Sequence, residues 1–200
     1  NDKSVLENFH VSQAFRLMAA EPEANLLSGL MLEQLVAARK QIIEVVLGTD
    51  MALHFSHVGS FKATAQNFEG EEPDEWAVDP AASSALRVMA LHAIDVSNPA
   101  KTLQISDRWT ELLSDEFFRQ GDEEKGLGLP VSPLCDREAV KFAGSQVGFL
   151  QFIVRPTFEL LAPLLPRVRE VILREVAENM QVWEERKEQE AREAQEAEEA

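Results

Sequence analysis

Several polar side chains in this sequence interrupt apolar patterns, and those are the places where chemistry is expected. In LHAIDVSNPAK, residues 91–101, Asp95 shares a helical face with Val88 and His92 and is therefore expected to point inward. Burying a lone carboxylate costs several kcal/mol, a large part of a domain's total stability. Asp95 therefore needs a partner, either a bound cation or backbone groups at the helix end. In VVLGTDMALH, Thr49 and Asp50 interrupt an apolar run, and His54 follows Asp50 by one turn. That spacing suits an i, i+4 pair or a share in a metal site. Glu7 and His10, three residues apart, can share a metal ion, but Ser4 and Glu7 equally have capping-box spacing. Gln146 stands between Phe142, Phe149 and Leu150, a polar break in an apolar pattern where it can bond a neighbouring helix.

These residues need helices to position them. The first helix is expected from Ser4, with Val11, Ala14, Phe15 and Met18 recurring at helical spacing. A second, longer one spans 31–57, with Leu35, Ile42, Val46 and Leu53 on one stripe. Residues 67–83 are acidic, contain two prolines and are expected to form a loop. Helices follow over 82–96, 103–120 (Trp109, Leu112, Leu113 and Phe117 on one face) and 137–155, the last kinked or ended by Pro156. DEEKGLGLPVSP between them reads as a loop. A final helix starts near Pro166, with Val168, Val171, Ile172 and Val176 inward. No strand-like alternation is found, so the fold is expected to be all-α.

The net charge of −16 argues against nucleic acid, whose phosphates require Lys and Arg clusters. An anionic phosphate substrate remains compatible if cations supply the positive charge. Cys135 is the only cysteine, which excludes an intrachain disulfide and fits a reducing, cytoplasmic setting. No apolar run has transmembrane length. After Trp183 the sequence EERKEQEAREAQEAEEA carries eight Glu against three Lys or Arg, which suggests a solvated helical tail over 184–200 beyond a domain ending at 183.

Five motifs occur in order: NDKSVLENFH, GTDMALH, LHAIDVSNPAK, W…EFFRQGDEEKGLGLPVSPLCDR and SQVGFLQFIVRP. Over residues 1–180 this arrangement resembles the catalytic domain of the class I 3′,5′-cyclic nucleotide phosphodiesterases. The resemblance implies a compact multi-helix bundle of the HD-type superfamily, with the N-terminal helices of the domain missing from this chain. It implies hydrolysis of 3′,5′-cyclic nucleotides, cAMP favoured over cGMP, to 5′-nucleoside monophosphates, by in-line attack of water activated between two divalent ions, zinc and magnesium (or manganese). Asp95 would be a metal ligand, and Glu7, His10 and Thr49 would bond metal-bound waters. Gln146 would bond the purine edge, Phe149 and Leu113 would clamp the base, and Asn98, Trp109, Phe117 and Leu134 would line the same pocket.

Two departures stand out. Relatives commonly carry two adjacent histidines where this chain has Phe9-His10, and often Tyr where it has Ser106. The family's remaining metal ligands and its general-acid histidine lie upstream of NDKSVLEN, so the chain alone is expected to be inactive. A truncated or degenerate homologue that binds nucleotide or a protein partner without catalysis is the alternative reading. A homodimer is compatible with the sequence.

Overall fold

The computed structural model describes residues 2–68 and 73–199, without the side chains of residues 73, 74, 77 and 198. Among these it contains helices and turns and no strand, as the all-α expectation requires. No helix among them is long and apolar enough to cross a membrane. The chain divides into two compact units, Asn1–Asp95 and Val96–Ala200.

The first unit contains α1 (Val5–Ala20), α2 (Leu32–Leu47), α3 (His54–Asn67), α4 (Pro73–Val78) and α5 (Pro80–Asp95). The single helix expected over 31–57 is broken by local side-chain bonds that compete with the helical ladder. Thr49 Oγ1 donates to the Val46 carbonyl (2.8 Å), and the Asp50 carboxylate accepts the Ala52 N–H (2.8 Å), starting a 3-10 turn at Met51–Leu53. The acidic loop expected over 67–83 is largely helical where described, residues 69–72 lying outside the described residues. Pro73 and Pro80 each occupy a first helical position, where a missing N–H is tolerated, so they start helices rather than break them. Trp76 is buried against Phe61 and Phe68.

The Ser4–Glu7 capping box does not form. Ser4 has a left-handed backbone (φ 46°) and caps nothing with its side chain; its hydroxyl donates to Asp50 Oδ2 instead, at 2.7 Å. Asp50 in turn does not pair with His54. His54 is buried and places Nδ1 2.8 Å from Nε2 of the fully buried His92, whose Nδ1 lies 3.1 Å from the Gly48 carbonyl oxygen. Gly48 permits this approach, because a Cβ there would sit 2.5 Å from Val88 Cγ1 on α5.

The second unit contains α6 (Leu103–Gly126), α7 (Phe142–Phe149), α8 (Arg155–Leu161) and α9 (Leu173–Glu199). Helix α6 runs past residue 120 and absorbs the first part of the expected loop. The helix expected over 137–155 starts at Phe142 and continues beyond Pro156. A π-helical turn at Leu150–Val154 widens the ladder (Arg155 N–H to Leu150 carbonyl), which accommodates the proline ring and its missing donor. Phe142 joins Phe118 on α6 to Trp183 on α9. Contacts extend past Trp183 into the acidic segment: Arg186 stacks on Trp183 and forms a two-pronged bond to Asp107 (2.7 and 2.8 Å). Asn179, fully buried, donates to the carbonyls of Pro99 (2.8 Å) and Lys101 (2.7 Å).

Gly121 on α6 packs directly on the backbone of Cys135, whose carbonyl carbon would lie 2.7 Å from any Cβ there. Gly121→Ala is expected to cost about 1–3 kcal/mol by overpacking. Gly126→Ala, with nothing within 4 Å of its Cβ, is the control; urea unfolding of both variants measures the difference.

The buried histidines make a second prediction. Desolvation holds both the His54 and His92 imidazoles below the ordinary histidine range; repulsion from neighbouring rings adds to it, and at His92 the Gly48 bond and the Asp95 charge oppose it in part. An unfolded chain protonates these rings near pH 6.5, so the folded state binds fewer protons and stability rises with pH. The contribution of the neutral pair is fully present above about pH 6.5 and is lost progressively as pH falls from there toward the lowered folded values. Thermal melts at about pH 7.5 and about pH 5.5 should show a lower midpoint in acid; an equal or higher midpoint in acid would count against a neutral buried pair.

Candidate functional site

In the first unit the candidate residues lie on α1, on the turn that follows α2 and at the end of α5. Glu7 and His10 lie on the first turns of α1, half-buried and exposed respectively. Ser4, immediately before that helix, is bonded to Asp50. Thr49 is half-buried, and its hydroxyl is committed to the Val46 carbonyl. Asp95 ends α5, one turn after His92.

Asp95 is exposed, which corrects the expectation that it points inward. The buried seam of this segment runs through Met89, His92, Ala93 and Val96. At about 100° per residue, Asp95 lies about 120° round from the seam's centre. Its carboxylate carries no burial penalty in this chain and makes no hydrogen bond or ion pair among the described residues. It stands exposed at a helix end, one turn from His92.

The metal expectation can be tested on donor geometry. Among the described residues no three His, Cys, Asp or Glu side chains come together to hold a metal ion. Glu7, His10 and Asp95 therefore do not form a cage in this chain, and the residues present do not by themselves fit a two-ion site.

The second unit carries the apolar and amide groups. Gln146 and Phe149 are three residues apart on α7, both half-buried, and share one face. The Gln146 amide makes no hydrogen bond among the described residues, leaving its donor and acceptor available. On α6, Leu113 and Phe117 share an arc with the buried Ser106, Thr110 and Gly121 and are half-buried. Trp109 and Leu112 lie about 60–120° round from that arc. The single apolar face expected for this helix is thus divided: small residues form the buried seam, and Trp109 is 52% exposed.

Asn98 begins the 3-10 turn Asn98–Ala100, whose neighbouring carbonyls Asn179 holds. Leu134 is half-exposed and has a left-handed backbone (φ 68°), an unfavourable conformation for a branched residue. It is fixed there because Ser132 bonds Glu124 through both N–H and hydroxyl, and Lys125 pairs with Asp136 at 2.8 Å.

The His54–His92–Gly48 chain and Asn179 were not singled out by sequence reasoning. Asn179 carries a visible signal, a polar residue on the stripe Val176, Asn179, Trp183. His92 lies on the buried seam of α5, and only the fold shows that His54 meets it.

Comparison with known proteins matches the sequence profile of the 3′5′-cyclic nucleotide phosphodiesterases over residues 1–176. The chain is 47% identical over 161 residues to the bovine (Bos taurus) dual specificity calcium/calmodulin-dependent 3′,5′-cyclic nucleotide phosphodiesterase 1B, covering 80% of this chain and 28% of that protein. It is 42% identical over 178 residues to the 1C protein of Rattus norvegicus, covering 89% of this chain and 22% of that protein. A solved structure, LmjPDEB1 in complex with IBMX, superimposes with a TM-score of 0.80 at 31% identity, over 90% of this chain and 52% of that one. The chain therefore spans under a third of the curated relatives and about half of the solved neighbour. With a family profile matched over most of its length and a shared all-α fold, it belongs to the 3′,5′-cyclic nucleotide phosphodiesterase family.

Proposed function

We propose that this chain supplies the nucleotide-recognition part of a catalytic domain that hydrolyses 3′,5′-cyclic nucleotides to 5′-nucleoside monophosphates. The observation that carries the reading is the α7 face, where the unbonded Gln146 amide stands one turn from Phe149. An amide can donate to and accept from a purine edge while an aromatic ring stacks on its face. Leu113, Phe117, Trp109 and Leu134 would extend the apolar walls, and Asn98 would contact the base. Because Gln146 can present either end of its amide, both cAMP and cGMP are substrates in this proposal, with cAMP preferred through Asn98. The dual specificity in the names of the relatives is consistent with that breadth.

Asp95 is proposed as the one metal ligand this chain contributes, with Glu7, His10 and Thr49 orienting water near the ions. Two divalent ions, zinc and magnesium (or manganese), belong to the proposal only together with ligands from outside these residues, as does the general acid. A second reading for the chain in isolation is a nucleotide or partner binder without turnover, since the remaining ligands in this proposal come from outside these residues.

The test uses the full-length protein. Gln146→Ala should raise KM, since each hydrogen bond lost is worth roughly 0.5–1.5 kcal/mol. Phe149→Ala should add a stacking loss of about 1–3 kcal/mol. Asp95→Asn should instead lower turnover by about 10-fold or more, with reduced metal content. Steady-state hydrolysis of both nucleotides, with metal analysis, separates the two effects. Parent-like KM and turnover in all three variants would move the site elsewhere.

A further inference from the structure

The three stretches of the first unit that carry candidate site residues meet through a directed chain of hydrogen bonds. A carbonyl oxygen only accepts, so the contact between His92 and Gly48 places a proton on His92 Nδ1. With Nδ1 donating, a neutral His92 keeps one lone pair, on Nε2, and His54 Nδ1 must donate to it. Both rings are at most 2% exposed, so water cannot substitute for either bond. The acceptor, Gly48, is next to Thr49. Asp50, the following residue, holds Ser4 at the start of α1, three residues before Glu7. His92 itself is one helical turn before Asp95.

We infer that His92 is a positioning residue of the phosphodiesterase site: its Nδ1–H bond to Gly48 fixes the Thr49 turn against the Asp95 end of α5, and His54 holds the required tautomer. This rests on the proposed hydrolase reading. The alternative is that the two imidazoles merely satisfy each other in a packed interior, contributing to stability alone. The two roles differ in which ring nitrogen matters. An asparagine amide nitrogen reaches about the position of imidazole Nδ1, whereas a glutamine amide nitrogen reaches about that of Nε2.

The experiment compares His92→Asn, His92→Gln and His92→Leu in the full-length protein, with the folded fraction measured by circular dichroism. Expected is a fall in kcat of about 10–100-fold per folded molecule for Gln and Leu, the usual effect of losing a partner that orients site groups, with KM little changed. Asn should stay within a few-fold of the parent. If His92→Gln does not fold, His54→Asn against His54→Gln provides the same contrast, because His54 also donates through Nδ1. Histidine-labelled ¹⁵N spectra should show Nδ1-protonated, neutral rings at both positions, a readout independent of turnover. An active parent whose Asn and Gln variants are equal, or rings protonated at Nε2, overturns this inference alone. A full-length parent with no turnover of either cyclic nucleotide overturns the hydrolase reading and this inference with it.

Discussion

The first unit depends on one carbonyl. Gly48 ends α2, and its oxygen is claimed by a buried imidazole from α5, which is itself bonded by another from α3. A buried polar chain of this kind is unforgiving: a partner removed leaves a desolvated group unsatisfied, at about 1–3 kcal/mol. The same property gives specificity, since each imidazole accepts only one arrangement of neighbours. Apolar contacts between α2, α3 and α5 would tolerate sliding by a fraction of a turn; the histidine chain does not.

The chain also explains the irregular stretch between α2 and α3. Continuing the helix through residues 48–53 would bury the Gly48 carbonyl in the ladder and deprive His92 of its acceptor. Thr49 and Asp50 divert the backbone with their own side chains, and Asp50 then has an oxygen left for Ser4. Ser4 pays for that bond with a left-handed backbone, unfavourable by about 1–2 kcal/mol for a residue with a Cβ. A charge-assisted hydrogen bond is of similar size, about 1.5–3 kcal/mol, so the strained conformation is sustainable.

How much of this was legible in the sequence depends on which interaction decided each element. The helical class and most helix positions follow from apolar spacing, because burial of one stripe dominates the energetics. Pro73 and Pro80 misled because proline is read as a breaker, although it is equally a starter. Asp95 misled because three residues on one side of a helix do not locate the buried seam, which is set by the neighbours the helix finds. On α6 the buried seam is Ser106, Thr110 and Gly121, small residues of which Gly121 meets the Cys135 backbone directly, and apolar spacing cannot report such closeness. Gln146 and Phe149 were legible as a pair because both lie on one short helix. The histidine chain was not, since 38 residues separate its two rings.

Asn179 has a consequence for the order in which the protein is made. Its amide closes a gap of 80 residues to the Pro99 carbonyl, beside the turn that presents Asn98. At a synthesis rate of about 5–20 residues per second, that turn waits roughly 4–16 seconds for its anchor to be polymerised. During that interval its two carbonyls have only water as partner. The turn that carries Asn98 therefore acquires its final shape only once Asn179, 80 residues from Pro99 in sequence, has been made.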